Sequence, residues 1–237
     1  MNPGLNQLKI FMLKKFFIIL YLIVLIADLI SVYTHNESLR YITKPLLMPL
    51  LVGYFVLSMQ PFASPLKKWI ILALVFSLLG DVLLMFESND SNFFILGLIA
   101  FLLAHIFYII FYENVIRAEH IKKKYWWFFP VLIYYSVLIY VLSPHLGEMK
   151  LSVRIYGVVI SYMLIQALQT SSISNRNAAL LMIVGAILFI TSDSILAINN
   201  FYRSFEWAGI AIMVTYGIAQ LLITRGAVLY ISSVSKR

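Results

Sequence analysis

The sequence predicts an all-α integral membrane protein of eight transmembrane helices. Of its 237 residues, 62% are hydrophobic and 12% charged, against roughly 45–50% and about 25% in a soluble domain. Seventeen Phe, fifteen Tyr and four Trp accompany only eighteen basic and ten acidic side chains, too few to cover a water-facing surface. The mean hydropathy is +0.92, and apolar runs recur at about the 20-residue length that a spanning helix needs.

The first run, 16–34, follows Lys9, Lys14 and Lys15 as a secretory leader would. It is longer than the roughly 7–15 residue apolar stretch of a leader and lacks a small-residue cleavage pattern after it, so it reads as a retained span. Thr34-His35-Asn36-Glu37-Ser38 turns the chain into the second run, 41–59, where Pro45 and Pro49 are expected to break the helix near one end. Gln60-Pro61 leads into the third, 68–87, and the polar stretch 87–92 into the fourth, 93–112. Residues 113–124 form the longest linker. Trp126 and Trp127 then open the fifth run, 125–143, as an interfacial aromatic anchor beside Lys122, Lys123 and Lys124. The sixth, 151–170, ends at Ser171-Ser172-Ile173-Ser174-Asn175, and the last two occupy 178–198 and 206–224. Loops this short leave no room for a soluble domain, so 1–237 reads as a single transmembrane domain.

The formal charge of +8 does not point to nucleic acid, because the basic residues lie in short clusters between apolar runs and not along one face. They give the orientation. Lys9, Lys14, Lys15, Lys67, Lys68, Arg117, Lys122, Lys123, Lys124, Arg176, Arg225, Lys236 and Arg237 fall on one side, thirteen in all, and Arg40, Lys150, Arg154 and Arg203 on the other. Both termini are therefore expected in the cytoplasm, with the protein in the cell (inner) membrane. Asn36-Glu37-Ser38 and Asn89-Asp90-Ser91 fit the glycosylation tripeptide in outer loops. Cysteine is absent, which excludes disulfides, thiolate nucleophiles, Cys-bound zinc and iron–sulfur clusters.

An internal echo is also present. Phe76-Ser77-Leu78-Leu79-Gly80-Asp81 resembles Phe189-Ile190-Thr191-Ser192-Asp193, and Ala104-His105 and Ala219-Gln220 follow in the next spans. Such spacing suggests a parallel 4+4 repeat.

Five ionisable residues lie inside the spans: Asp28, Lys44, Asp81, His105 and Asp193. A charge at mid-bilayer costs roughly 2.5–3.5 kcal/mol even on the lenient insertion scale, so each suggests function. Alternating span direction puts all five in the outer half, as a shared cavity would, with a polar mouth at the outer interface and apolar walls lower down for an acyl chain. Ser77 lies four residues before Asp81, Asn200 seven after Asp193, and Tyr108 three after His105. Tyr162, Gln166 and Gln169 form one polar stripe, and Tyr216, Gln220 and Thr224 another. The structural alternative is that such stripes only join helices, at about 0.6 kcal/mol per hydrogen bond. By the same reasoning Asp28 would snorkel to the span end, His105 would be a core histidine, and Lys44 with the Asp pair would form a buried ion network.

The segments Lys44-Pro45-Leu46-Leu47-Met48, Ser77-Leu78-Leu79-Gly80-Asp81, Gly97 through Phe101 to His105 and Tyr108, and Ser192-Asp193 with Ala197, Asn199 and Phe201 resemble the YhhN family. The resemblance runs in order through spans two to eight, ending at Tyr216–Gln220, and that family takes in the lysoplasmalogenases. It implies a hydrolase that cleaves the vinyl ether of a lysoplasmalogen to a fatty aldehyde and a glycerophosphoethanolamine or glycerophosphocholine, with the bilayer and that lipid as partners. With one intramembrane histidine and no cysteine, no metal or cofactor is expected. The resemblance further implies Asp81, Asp193 and His105 in catalysis, and Lys44, Tyr108, Ser77 and Asn199 at the substrate. The first span matches no family motif, so Asp28 inherits no role.

The residue types suit that reaction. Protonation of the vinyl carbon gives an oxocarbenium-like cation, water adds, and the hemiacetal collapses to an aldehyde. One carboxyl acid and one carboxylate are wanted, and Asp81 and Asp193 can divide those roles in either order. His105 can relay a proton or orient water, and Lys44, with Arg40 nearby, can hold a phosphate. The alternatives are a proton-coupled transporter, which also uses intramembrane Asp, His and Lys, and a membrane scaffold. The transporter would be expected to show broken helices in matching positions, and the scaffold a larger exposed loop surface.

The orientation can be checked directly in this Cys-free chain. Cysteine introduced in the loops at Asn36, Asn89, His145 or Arg203 is expected to react with an impermeant thiol reagent from outside the cell. Labelling of the 113–124 linker from outside would reverse the assignment.

Overall fold

The computed structural model describes residues 3–60, 62–87 and 90–235, and among them it has eight α-helices and no strand. They are α1 (Pro3–Tyr33), α2 (Glu37–Met59), α3 (Lys67–Leu84), α4 (Ser91–Ala118), α5 (Phe128–Leu142), α6 (Lys150–Gln169), α7 (Arg176–Ala197) and α8 (Ala208–Val234). Pro61, Ser88, Asn89, Lys236 and Arg237 lie outside the described residues. One turn signal, the Asn89 tripeptide and two cations of the orientation count go with them. All helices but α3 are long and apolar enough to cross a membrane; α3 has 18 residues and carries Lys67, Lys68 and Asp81. The chain is a multi-pass membrane protein.

Helix ends differ from the expectation where charge was taken to end a span. α1 passes through Lys9, Lys14 and Lys15, and α8 runs on to Val234. α4 continues to Ala118, so Glu113 and Arg117 form an i,i+4 ion pair at 3.1 Å and the linker shrinks to 119–124. A helix keeps its backbone bonded whatever the side chains, and long cationic side chains reach the interface without unwinding it. Pro45 and Pro49 likewise do not end α2. Each removes one i→i−4 bond, which packed neighbours tolerate inside a membrane.

Side-chain caps set several helix starts. Asn36 Oδ1 accepts from Leu39 N at 3.0 Å, Asp90 Oδ1 from Asn92 N at 2.8 Å, and Asn175 Oδ1 from Ala178 N at 3.1 Å. His35 takes φ +52° just before Asn36, which makes the α1–α2 turn tight. Asn36 therefore has a capping duty within its tripeptide.

Sequential pairs α1–α2, α3–α4 and α7–α8 pack together, and α8 also meets α1, α2 and α3. α4 packs across on α6, and α5 lies at the edge against α6 with Phe129 and Tyr140 exposed. On α1, Ile19, Ile23, Ile26 and Ile30 are each more than half exposed, while Tyr21, Leu25 and Asp28 are buried. That split at helical spacing separates a lipid face from a protein face. The stripe on α6 is shorter than expected: Gln166 and Gln169 are buried, with Gln166 bonded to Glu113 and Gln169 to the Lys124 backbone, but Tyr162 is exposed.

α7 and α8 approach closely because both present small residues. A Cβ on Gly185 would stand 3.0 Å from the Ala219 carbonyl oxygen, and one on Gly226 would stand 3.0 Å from that of Ala178. Apolar contact with lipid is as good as with another helix, so close van der Waals approach is what favours the pair. Gly226→Leu is expected to lower the unfolding midpoint in detergent by several degrees, as for overpacking of about 1–3 kcal/mol, whereas Leu180→Val on an exposed position should leave it in place.

Candidate active site

The first two turns of α2 align Glu37, Arg40, Tyr41 and Lys44 along one side, at spacings of three and four. Facing them, the end of α3 supplies Asp81 and the turn after it Glu87, α7 supplies Ser192 and Asp193, and α8 supplies Tyr216. Together with Phe101 of α4 they enclose a cavity of about 260 Å³. Its mouth is charged and its inner wall is aromatic. Gly80 is required behind that wall, because a Cβ there would lie 2.6 Å from the Phe101 ring.

Both carboxylates reach this cavity, and their partners differ. Asp81 is 2% exposed; its Oδ1 is 3.8 Å from Lys44 Nζ, and its Oδ2 accepts from the Tyr216 hydroxyl at 2.7 Å. Asp193 Oδ2 accepts from the Tyr156 hydroxyl at 2.5 Å and lies 3.7 Å from His105 Nε2. Asp81 thus has a cation beside it, whereas Asp193 has a phenol and an imidazole. His105 is fully buried behind the cavity, its ring edge-on to Tyr156 at 5.4 Å and to Phe189 at 4.7 Å. Its Nε2 has no hydrogen-bond partner; at 3.7 Å the Asp193 carboxylate is within ion-pair reach but beyond hydrogen-bond length.

Other expected site residues have different positions. Tyr108 and Ser77 do not line the cavity. The Tyr108 hydroxyl donates to Gln220 Oε1 at 2.5 Å, and Gln220 Nε2 donates to Ser77 Oγ at 2.9 Å, so the three tie α3, α4 and α8 together below it. Asn199 is also away from the cavity. It lies in a π turn, Ile198–Tyr202, that closes α7, and its Oδ1 accepts from Phe205 N at 3.3 Å. Asp28 does not snorkel: it is fully buried, Oδ1 accepts from the Thr43 hydroxyl at 2.8 Å, and Oδ2 has no partner.

A second, narrow slot opens on the other side of Asp193. Phe94, Leu98, Val153, Leu196, Ala197 and Phe201 line it, with Tyr156 and Asp193 at its polar end. Phe94 and Phe201 meet edge to face at 5.9 Å. This slot, about 30 Å³, lies laterally between α4, α6 and α7, whereas the sequence placed apolar walls below the carboxylates. Beneath Asp81 the core is filled by Tyr108, Phe189 and Gln220, all fully buried.

Among the described residues no three His, Asp or Glu side chains form a group that could hold a metal ion. Tyr156, Glu37, Tyr41 and Glu87 were not singled out from the sequence. Tyr156 has no local signal, since phenols abound in this chain, and the other three sit at span ends where polar residues are ordinary.

The YhhN family model matches residues 39–227. A protein of Mycobacterium bovis named lysoplasmalogenase is 31% identical over 163 residues, covering 68% of this chain and 60% of its own. The human protein named lysoplasmalogenase TMEM86A is 29% identical over 171 residues, covering 70% and 68%. Rat lysoplasmalogenase TMEM86B is 38% identical over 96 residues, covering 40% and 36%. The chain thus spans about 60% of the length of the mycobacterial relative. No solved structure matches the chain.

The Gln220 link has a measurable consequence. Gln220→Leu leaves the Tyr108 hydroxyl and Ser77 Oγ buried without their partner, and the expected loss of stability is about 1–3 kcal/mol, read as a lower unfolding midpoint in detergent. An unchanged midpoint would show that this link contributes nothing.

Proposed function

The chain belongs to the YhhN family, and from that premise we propose that it is a membrane hydrolase cleaving the vinyl ether bond of lysoplasmalogen-type lysophospholipids. The products are a fatty aldehyde and a glycerophospho-headgroup. One observation carries this reading: Asp193 stands where the charged cavity meets the apolar slot. In a single-chain lipid the vinyl ether lies at the junction of headgroup and chain. Such a molecule places that bond beside Asp193, its phosphate toward Arg40 and Lys44 and its chain between Phe94 and Phe201, which part to admit it. The names of the relatives, lysoplasmalogenase in mycobacterial and mammalian members, support the same substrate class.

In this reading Asp193 is the acid, because its neighbours are the neutral donor Tyr156 and His105, while Asp81 faces Lys44 as the charged carboxylate. Asp193 gives its proton to the vinyl carbon remote from oxygen. The cation left on the carbon that bears oxygen is stabilised by the negative charge of Asp81. Water, oriented by His105, adds to that carbon and returns a proton to Asp193. The hemiacetal then breaks its bond to the glycerol oxygen, giving aldehyde and alcohol with one water consumed. The spanning helices run without a mid-membrane break, α2 through Pro45 and Pro49 included, which favours hydrolysis over a transporter built on broken helices.

Both termini in the cytoplasm, an inner-membrane location and a single domain belong to the same proposal. So does the parallel 4+4 repeat, supported by equivalent contacts of α2 with α8 and of α6 with α4.

The test is aldehyde release measured by mass spectrometry from lysoplasmalogen beside its ester-linked counterpart. Wild type is expected to release aldehyde from the first alone. Asp81→Asn and Asp193→Asn should each fold and lose on the order of 10² or more in turnover, as for removal of a general acid or base. The double variant should be little worse than the worse single one. Lys44→Met should mainly raise KM. Near-normal release by either Asp variant removes that residue from the chemistry.

A further inference from the structure

Asp28 is a fully buried carboxyl on α1 that the proposed chemistry does not use. It does not line the cavity, and it lies before residue 39, where the family match begins. Its Oδ1 accepts from the Thr43 hydroxyl at 2.8 Å, and its Oδ2 is buried without a partner. The Leu39 carbonyl oxygen, 3.1 Å from that hydroxyl, is the other acceptor beside it. One carboxyl met by one hydroxyl is a poor way to stabilise a pair of membrane helices, because an apolar side chain of similar size costs no desolvation there. Stability alone does not account for Asp28.

Its place along the chain does. Thr43 immediately precedes Lys44, and adjacent residues on a helix point about 100° apart. α2 is thus held at two consecutive positions, Thr43 by Asp28 of α1 and Lys44 by Asp81 of α3, the second contact at 3.8 Å. Pro45 comes next. It has no N–H for the Tyr41 carbonyl, and its ring crowds that carbonyl, so the backbone fixes the helix least where these two side chains hold it. Glu37, Arg40, Tyr41 and Lys44, through which α2 lines the mouth of the cavity, all lie on the two turns before Pro45.

We propose that Asp28 is a positioning residue for Lys44: through Thr43 it sets the rotation of the first two turns of α2 and so keeps the Lys44 ammonium in the cavity beside Asp81. The inference rests on the lipid-hydrolase reading, in which Lys44 holds a phosphate, and adds to it a residue from outside the matched family region. Without the Thr43 bond, the turns before Pro45 are tied by the Lys44–Asp81 contact, and a phosphate competes for that same ammonium. Drawing Lys44 to the ligand then turns the helix end with it. With the bond in place the stem of Lys44 stays put, and only its ammonium shifts between carboxylate and phosphate. Asp28 therefore reduces the ordering that binding must impose, and a carboxylate does this better than a neutral acceptor because its hydrogen bonds are stronger.

The test uses the full chain in detergent and an ester-linked lysolipid, lysophosphatidylethanolamine, with Kd read by native mass spectrometry. The probe contains no vinyl ether, so the result does not depend on turnover. Thr43→Val keeps the shape and removes the hydroxyl, and it should weaken binding about tenfold, the order of one hydrogen bond to a charged group. Thr43→Ser, which keeps the hydroxyl, should bind as wild type does. Asp28→Leu should match Thr43→Val, and the Thr43 pair carries the test alone if Asp28→Leu is not monodisperse. A buried bond is lost in either case and the unfolding midpoint falls with it, so the deciding background is Lys44→Met. If Thr43 acts through Lys44, adding Thr43→Val to Lys44→Met changes Kd no further, whereas a merely structural bond costs the same tenfold with or without the lysine. That persistent tenfold loss, or wild-type affinity in Thr43→Val, overturns the positioning role and leaves vinyl ether hydrolysis standing. An affinity untouched by Lys44→Met overturns the phosphate contact on which the role depends. Binding as expected, with no aldehyde released from lysoplasmalogen by wild type, overturns hydrolysis and leaves the role of Asp28 in place.

Discussion

A charge inside a bilayer has no water to meet it, so each intramembrane ionisable group must be answered by another protein group or by a cavity. That constraint organises this molecule. Asp81 is answered by Lys44 and Tyr216, which come from α2 and α8, and Asp193 by Tyr156 from α6 and His105 from α4. Satisfying two carboxylates therefore draws on six of the eight helices, since α3 and α7 carry the acids themselves. The helices could associate in other ways on apolar contact alone, because lipid offers each an equal apolar surface. The charge contacts select among those arrangements.

Backbone proximity makes such contacts reachable. α7 and α8 come together over Gly185 and Gly226, and that approach brings Asp193 and Tyr216 to the walls of one cavity. Gly80 does the same for α3 and α4, leaving space for the Phe101 ring that faces the cavity. Below them the Tyr108–Gln220–Ser77 chain fixes α4, α8 and α3 at one height. Small residues set the distances, and polar residues set the register.

The constraint also explains how much could be read from the sequence. Asp81, Asp193, Lys44 and His105 stood out because a charge in an apolar run is expensive wherever the partner lies; three of them line one cavity, while His105 lies behind it and Asp28, of similar depth, is not among its lining. Tyr156 could not be found that way: a phenol is cheap in a membrane helix, and only the fold shows that its hydroxyl reaches Asp193. Tyr108 and Ser77 share a face with ionisable residues, but a face at helical spacing spans several turns, and theirs meets Gln220 below the cavity. Asn199 was singled out by the family resemblance and not by a face, and the structure places it in the π turn that closes α7, bonded to Phe205 N. The lateral slot has no sequence signal, because Phe94, Leu98, Val153 and Phe201 are apolar residues among many. Charge was legible; shape was not.

The two carboxylates are therefore not interchangeable, although the sequence presents them as members of two similar motifs. Asp81 stands on the charged side, beside a lysine that a phosphate can also engage. Asp193 stands at the boundary, with the charged cavity on one side and the apolar slot on the other. A bond that is itself a boundary between polar and apolar halves of one molecule is aligned by that asymmetry without any residue gripping it. In the proposed hydrolase, headgroup contacts would fix one end, exclusion of the chain from the charged cavity would fix the other, and the reacting carbon would be left next to the acid. Orientation of this kind comes from partitioning, which acts along the whole length of an amphiphile. A few donors at the reacting centre are then enough for the chemistry.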